Sequence, residues 1–261
     1  MAPRQPPQPR EAPPVIPWGQ WYAQERLTYK QGQHKLFSGP TQSGKTVVCR
    51  LVARQRAFVI VFGTKPVDAS LDDYVAEGYL RIDHWPPTRE DLRRFPDPTR
   101  EARFILWPEM KERADLRRFA GVYAKCLEQV FIDGRWTIVV DEGLWTASRK
   151  GLNLESEVGD IAYGSASNKV TLYLLVQRPA NAGPVSWTSV SQAIVFHMGR
   201  TDDVRDLASL GTYEPRDATG AIRRLRGHQF LDLPCRAGAE WGISEVDPAW
   251  LVAPSGLAVP R

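Results

Sequence analysis

The chain has 261 residues, 43% of them hydrophobic and 25% charged, a balance that suits a soluble globular protein and excludes fibrous and disordered classes. Its net charge of +4 is too small to name a partner, and its three cysteines, Cys49, Cys126 and Cys235, lack any CxxC or Cys/His spacing, so neither a disulfide framework nor a zinc site is signalled. The opening MAPRQPPQPREAPPVIP carries no apolar signal region, and no apolar run approaches the roughly 20 residues that span a bilayer, which predicts a cytoplasmic protein with no membrane insertion.

Residues 1–17 are proline-rich and without aromatics, so burial cannot offset the entropy of ordering them; they read as a flexible tail, either a docking arm or solvated chain. From Trp18 onward the pattern alternates. Short, continuous apolar runs predict strands at HKLFS (34–38), AFVIVF (57–62), ARFILW (102–107), WTIVVD (136–141), VTLYLLV (170–176) and QAIVFHM (192–198). Helical segments fill the gaps at 46–56, 112–131, 154–163 and 202–210. Such alternation predicts an α/β domain over 18–210, a mainly parallel sheet flanked by helices. Beyond Leu210 the periodicity weakens, and 211–261 reads as a small hairpin-rich C-terminal annex that ends in a tail.

Directly after HKLFS stands GPTQSGKT. Gly39, Pro40, Thr41, Gln42, Ser43, Gly44, Lys45 and Thr46 fit GxxxxGK[ST] letter for letter, between a predicted strand and a predicted helix. The glycines let successive backbone N–H groups curl around a polyphosphate, and the helix N-terminus adds partial positive charge. Lys45 then reaches the β- and γ-phosphates of ATP, and Thr46 offers its hydroxyl to Mg²⁺. A chance match in a glycine-containing turn is the alternative, and the flanking strand and helix argue against it.

A phosphate site of this kind needs an acid for the metal, and Asp141 ends WTIVVD where the carboxyl edge of a sheet faces the phosphate crevice. Glu142 follows it. A carboxylate there polarises a water for in-line attack, so the pair signals hydrolysis rather than a solvated turn. The run LYLLVQRP ends in an amide, a guanidinium and a proline. If it lies beside the phosphate-loop strand, Gln177 is level with Lys45 and Glu142 and senses the γ-phosphate, while Pro179 ends the ladder. A plain strand cap is the alternative.

Taken together, GPTQSGKT, TIVVDE, LLVQRP and QAIVFHMGRTDDVRDLASLG resemble the FtsK/HerA superfamily of P-loop DNA-pumping ATPases, from Lys35 to Leu210, and AFVIVFGTKPVDASL is similar to that family's second strand and loop. The P-loop is common to many families; the Gln-Arg-Pro strand end with HMGRTDDVRDL is the specific part. Within the superfamily the short chain is most similar to compact viral genome-packaging ATPases. The resemblance implies a P-loop NTPase fold of the ASCE/RecA-like kind, ATP and Mg²⁺ as cofactors, and a homo-oligomeric ring, pentamer or hexamer, that drives double-stranded DNA through its pore. It further implies a viral portal as docking partner and the host-cell cytoplasm as location. A basic residue acting in trans is also implied. Relatives carry an arginine shortly before the sensor strand, where this chain offers Lys169, which lacks the bidentate fork of arginine. Arg149 and Arg200 are the other candidates, with Lys169 and Arg149 ranked first and a surface charge the commoner role for any of the three.

Under that resemblance Lys65, in the GTKP loop, and Arg223, Arg224 and Arg226, in AIRRLRG, are candidate DNA contacts, although a solvated face explains the arginines as well. Translocation needs only phosphate contacts that are independent of sequence. Trp18, Trp21 and Tyr22 pack either on the core or on an adenine. Three other functions stay open: a plasmid-transfer or phage-secretion ATPase of the same superfamily, a P-loop small-molecule kinase, and a non-hydrolysing P-loop scaffold.

Overall fold

A computed structural model describes residues 12–65, 67–109, 111, 115–141, 152–179, 189–247 and 250. The first half runs α1 (Trp18–Thr28), β1 (His34–Ser38), α2 (Lys45–Ala53), β2 (Phe58–Phe62), α3 (Ser70–Ala76), β3 (Leu80–Ile82), α4 (Arg89–Leu92) and β4 (Ala102–Leu106). The second half runs α5 (Asp115–Asp133), β5 (Thr137–Val140), α6 (Glu155–Asn168), β6 (Thr171–Val176), β7 (Val190–Phe196), α7 (Thr201–Leu210), α8 (Pro215–Arg224), β8 (Gln229–Pro234) and β9 (Gly242–Glu245). Among the described residues no helix is long and apolar enough to cross a membrane.

One sheet carries nine strands in the order β3-β4-β2-β5-β6-β1-β7-β8-β9. Pairing is parallel from β3 through β7 and antiparallel for β7–β8 and β8–β9. Apolar runs without alternation predict strands covered on both faces, and the packing follows that logic. Along β2, Ile60 and Phe62 enter one core cluster while Val59 and Val61 enter the other. Likewise Leu172, Leu174 and Val176 of β6 face one layer, and Tyr173 and Leu175 face the opposite layer. The first layer holds Tyr123, Cys126, Leu127 and Val130 of α5 with Val158 and Ile161 of α6. The second holds Trp18, Trp21 and Tyr22 of α1 with Val48, Leu51 and Val52 of α2. Each such fully buried side chain contributes about 1.5–3 kcal/mol relative to exposure.

Three local differences from the sequence reading have physical reasons. Residues 18–28 form a helix whose buried positions Trp18, Trp21, Tyr22 and Glu25 fall at helical spacing, but the last is a charge, which disguises the stripe. Residues 215–224, expected within a hairpin-rich stretch, form α8, with Pro215 at its first turn and Ala218, Ala221 and Ile222 inward. The expected hairpin, β8–β9, is present and extends the main sheet through β7. Part of the expected tail is also paired: Ile16 donates to the Ile243 carbonyl at 2.8 Å, and the Ile243 N–H donates to Pro14 at 2.8 Å.

Candidate functional site

Strand β1 ends at Ser38, level with Val176 of β6, and the next residue, Gly39, donates its N–H to the Val176 carbonyl at 3.2 Å. The loop of residues 39–44 therefore starts from the end of a central, fully buried strand. Its shape demands glycine twice. A Cβ on Gly39 would sit 2.6 Å from Ser43 Oγ and 2.8 Å from Phe196 Cβ, and Gly44 caps α2 with φ +100°. Between them the Ser43 N–H donates to the Pro40 carbonyl at 3.3 Å, and Ser43 Oγ is buried with no hydrogen-bond partner. Lys45, the first residue of α2, is buried and folds its ammonium back to the Pro40 carbonyl at 3.4 Å. Thr46 follows it, half-buried.

Two neighbouring parallel strands deliver the other groups to this edge. Gln177 follows β6, which pairs with β1, and its Oε1 accepts from Thr41 Oγ1 at 3.4 Å. Asp141 follows β5, the strand on the far side of β6, so the phosphate loop, Gln177 and Asp141 stand at the carboxyl ends of three adjacent strands. Lys65 reaches the same place from the loop after β2, its ammonium 3.6 Å from Asp141 Oδ2 and 3.9 Å from Asp68 Oδ2. The segments that make the sequence resemblance specific also meet: Arg178 Nε lies 3.9 Å from Asp203 Oδ2, whose side chain is buried at the start of α7.

Not every expected residue comes here. Lys169 precedes β6 and so lies at the amino edge, exposed and with φ +55°. Glu142 and Arg149 lie outside the described residues. Arg223 and Arg224, in the last turn of α8, and Arg226 are exposed, with Arg223 donating to Thr201 Oγ1 at 3.3 Å. Trp18, Trp21 and Tyr22 are core residues, buried against Phe230 and Trp250. One neighbour of the loop was invisible in the sequence. His228 places Nδ1 3.2 Å from the Ser43 carbonyl, a contact across 185 residues that only the folding of β8 beside β7 creates.

The residues present fit a polyphosphate with a divalent cation. The loop is a tight turn in which a Cβ at Gly39 would strike Ser43 Oγ, Gly44 takes a positive φ, and the Ser43 hydroxyl is unpartnered. Asp141 already accommodates a positive charge, the Lys65 ammonium. Among the described residues no group of three or more His, Cys, Asp or Glu is arranged to hold a metal. Mg²⁺ at phosphate sites takes one or two carboxylates and completes its shell with phosphate and water, so Asp141 and the Thr46 hydroxyl are enough protein ligands for it.

A second polar region occupies the opposite edge, beside a cavity of about 670 Å³. Glu25 receives Lys35 Nζ and Arg56 NH2, each at 2.8 Å, and Arg56 Nε donates to Tyr173 at 2.8 Å. Asp232 accepts from Gln192 Nε2 at 2.7 Å and Trp21 Nε1 at 2.8 Å. Burial pushes its carboxyl up to about 6, against the downward pull of those two donors. At the start of β1, His34 accepts from the Leu172 N–H on Nδ1 at 2.9 Å, and burial pulls the ring down to about 4.

No protein family model matches the chain, and no curated protein matches it in sequence. Solved structures do match. The genome packaging NTPase B204 from Sulfolobus turreted icosahedral virus 2 in complex with sulfate aligns with TM-score 0.58 at 11% identity, over 83% of this chain and 98% of that one. Its complex with AMPPCP aligns with TM-score 0.56 at 13% identity, over 82% and 97%. ATPases 2 and 3 of EssC from Geobacillus thermodenitrificans align with TM-score 0.50 at 11% identity, over 82% of this chain and 40% of that one. The chain therefore has a P-loop ATPase fold, a mixed and mostly parallel sheet flanked by helices, in common with the packaging NTPase B204 and with ATPases 2 and 3 of EssC.

Proposed function

We propose that the chain is an ATP-hydrolysing double-stranded DNA translocase, a viral genome-packaging motor subunit that acts in a ring. The observation that carries the reading is the convergence of the loop 39–46, Gln177 and Asp141 on one edge of three adjacent parallel strands. The DNA-pumping part rests on the sequence resemblance, and is supported by likeness to a packaging NTPase over nearly its whole length. A plasmid-transfer or phage-secretion ATPase is the second reading, and it rests on the same sequence resemblance. A small-molecule kinase is not favoured, since these neighbours are packaging and FtsK-like ATPases.

In this reading the backbone N–H groups of residues 39–44 and the first turn of α2 bind the phosphates, and Lys45 swings from Pro40 to the β- and γ-oxygens. Thr46 and Asp141 would hold Mg²⁺. When bound, that ion neutralises charge on the β- and γ-phosphate oxygens. Glu142 takes the proton of the attacking water, and Gln177, tied to the loop through Thr41, orients that water against the γ-phosphate. A basic residue from a neighbouring subunit supplies charge in trans; Lys169, at the far edge of its own sheet, suits only a neighbour's site. The exposed arginines 223, 224 and 226 contact DNA phosphates, a role that Lys65, turned to Asp141 and Asp68, does not share, and a portal anchors the ring.

The test is steady-state phosphate release from Mg²⁺-ATP with and without duplex DNA at two salt concentrations. Stimulation by DNA that fades at high salt is expected. Hydrolysis indifferent to DNA would move the assignment to secretion.

A further inference from the structure

Lys65 is partly exposed, with its ammonium turned toward the carboxylates at the strand ends. Its backbone is clamped from below: the Lys65 carbonyl accepts from the indole N–H of Trp107 at 2.7 Å, and the Gly63 carbonyl accepts from the Tyr123 hydroxyl at 2.5 Å. Trp107 and Tyr123 are both buried, and a Cβ on Gly63 would run into the Trp107 ring at 2.5 Å. Phe62 is in register with Val140, so this clamped loop runs level with Asp141. Only the Lys65 side chain is left to move, and it lies between two carboxylates. Asp141 is 3.6 Å away on one side and Asp68 3.9 Å away on the other. Asp68 is itself fixed, its Oδ1 held by the Ser70 N–H at 3.0 Å and the Ser70 hydroxyl at 2.6 Å, with Oδ2 turned to Lys65.

We propose that Lys65 is a built-in counter-cation for Asp141, pairing with that carboxylate before nucleotide binds, competing with Mg²⁺ for it, and yielding to Asp68 when the divalent ion arrives. The proposal rests on the reading of Asp141 as the metal carboxylate. Its physical content is competition. One carboxylate cannot neutralise an ammonium and a divalent cation in full at the same time, so whatever holds Lys65 at Asp141 raises the Mg²⁺ concentration needed to load the site. Asp68 gives the displaced ammonium a second anionic partner without any backbone movement. Lys65 is thus a positioning residue that sets the metal requirement of the site.

The experiment titrates Mg²⁺ into the full chain with a fluorescent, non-hydrolysable ATP analogue and reads the midpoint of the binding signal. Lys65→Met keeps length and removes charge, and it should lower the Mg²⁺ midpoint about fivefold, the scale of a partly exposed ion pair. Lys65→Arg should leave the midpoint near that of the wild type. Asp68→Asn removes the second partner, holds the ammonium on Asp141 and should raise the midpoint. An unchanged or raised midpoint in Lys65→Met would overturn the proposal. So would weaker analogue binding in EDTA with no change of midpoint, which would make Lys65 a phosphate ligand. If the wild type binds no analogue at any Mg²⁺ concentration, the phosphate-site reading falls and the proposal falls with it. Binding with equal midpoints in all four proteins sinks the Lys65 proposal alone.

Discussion

At the amino edge of the sheet, Glu25 meets Lys35 and Arg56, and Gln192 meets Asp232, at 2.7–2.8 Å. At the carboxyl edge, Lys45 meets Pro40, Thr41 meets Gln177 and Lys65 meets Asp141 at 3.4–3.6 Å. In the first set Glu25 has two cations, and Asp232 two neutral donors, within hydrogen-bond distance. The second set meets at longer distances, and each edge holds a buried hydroxyl without a partner, Ser43 Oγ here and Ser191 Oγ beside the cavity. A polar cluster that stabilises a fold and one that binds a ligand are thus told apart by how closely their charges pair, not by how many charges they hold.

If that contrast is right, variants at the two edges separate stability from ligand affinity. The largest effect belongs to Glu25→Ala, which strands Lys35 and Arg56 as buried cations without their counter-charge; a loss of about 3–5 kcal/mol in urea unfolding is expected, with nucleotide affinity unchanged in the fraction that folds. Next comes Lys45→Ala. Loss of a charged hydrogen bond to phosphate should weaken nucleotide binding by about 10- to 150-fold while the nucleotide-free melting temperature stays within a degree or two of wild type. Glu142→Gln sharpens the point, because it should bind ATP normally and release no phosphate; equal loss of binding and turnover would show that the base is another residue.

The smallest effect is a slope in pH. Asp232, raised from 3.8 to about 6, stabilises the fold below pH 4 and loses that contribution as pH climbs through 6. His34, lowered from 6.5 to about 4, does the reverse: its contribution is present above pH 6.5 and is lost as pH falls through 4. The two slopes oppose each other in the same window. Asp232→Asn leaves the histidine slope uncompensated, so between pH 6.5 and 4 this variant should lose roughly 2–3 kcal/mol more stability than the wild type. Parallel pH curves for the two proteins would mean that Asp232 titrates as an ordinary surface acid.

Strands of the central sheet were legible because burial on both faces writes an uninterrupted apolar run, and β1 matches its expected span from His34 to Ser38. The phosphate loop was legible because Gly39 and Gly44 answer to local constraints, a tight approach and a positive φ. The strands β5 and β6 fell where Asp141 and Gln177 require, since both residues end apolar runs. What escaped was short or long-range. Strand β3 is three residues with an exposed arginine in the middle, and α4 is a four-residue turn with no buried position. The pairing of Lys65 with Asp141 depends on β2 lying next to β5, and the contact of His228 with Ser43 on an antiparallel return. Neither adjacency leaves a local trace.

The segment of residues 14–16 laid along β9 has a colloidal consequence. A nine-stranded sheet has two open rims on which another chain can template, and this protein blunts both: β3 is short, and β9 is sealed by Pro14 and Ile16 around Gly242, where any Cβ would strike Ile16 Cδ1 at 2.3 Å. The prolines at 13, 14 and 17 have no N–H to offer, so the sealing segment cannot pass the ladder on. A chain begun at Trp18 would keep its phosphate loop, expose the Ile243 amide and carbonyl, and so become more prone to edge-to-edge aggregation.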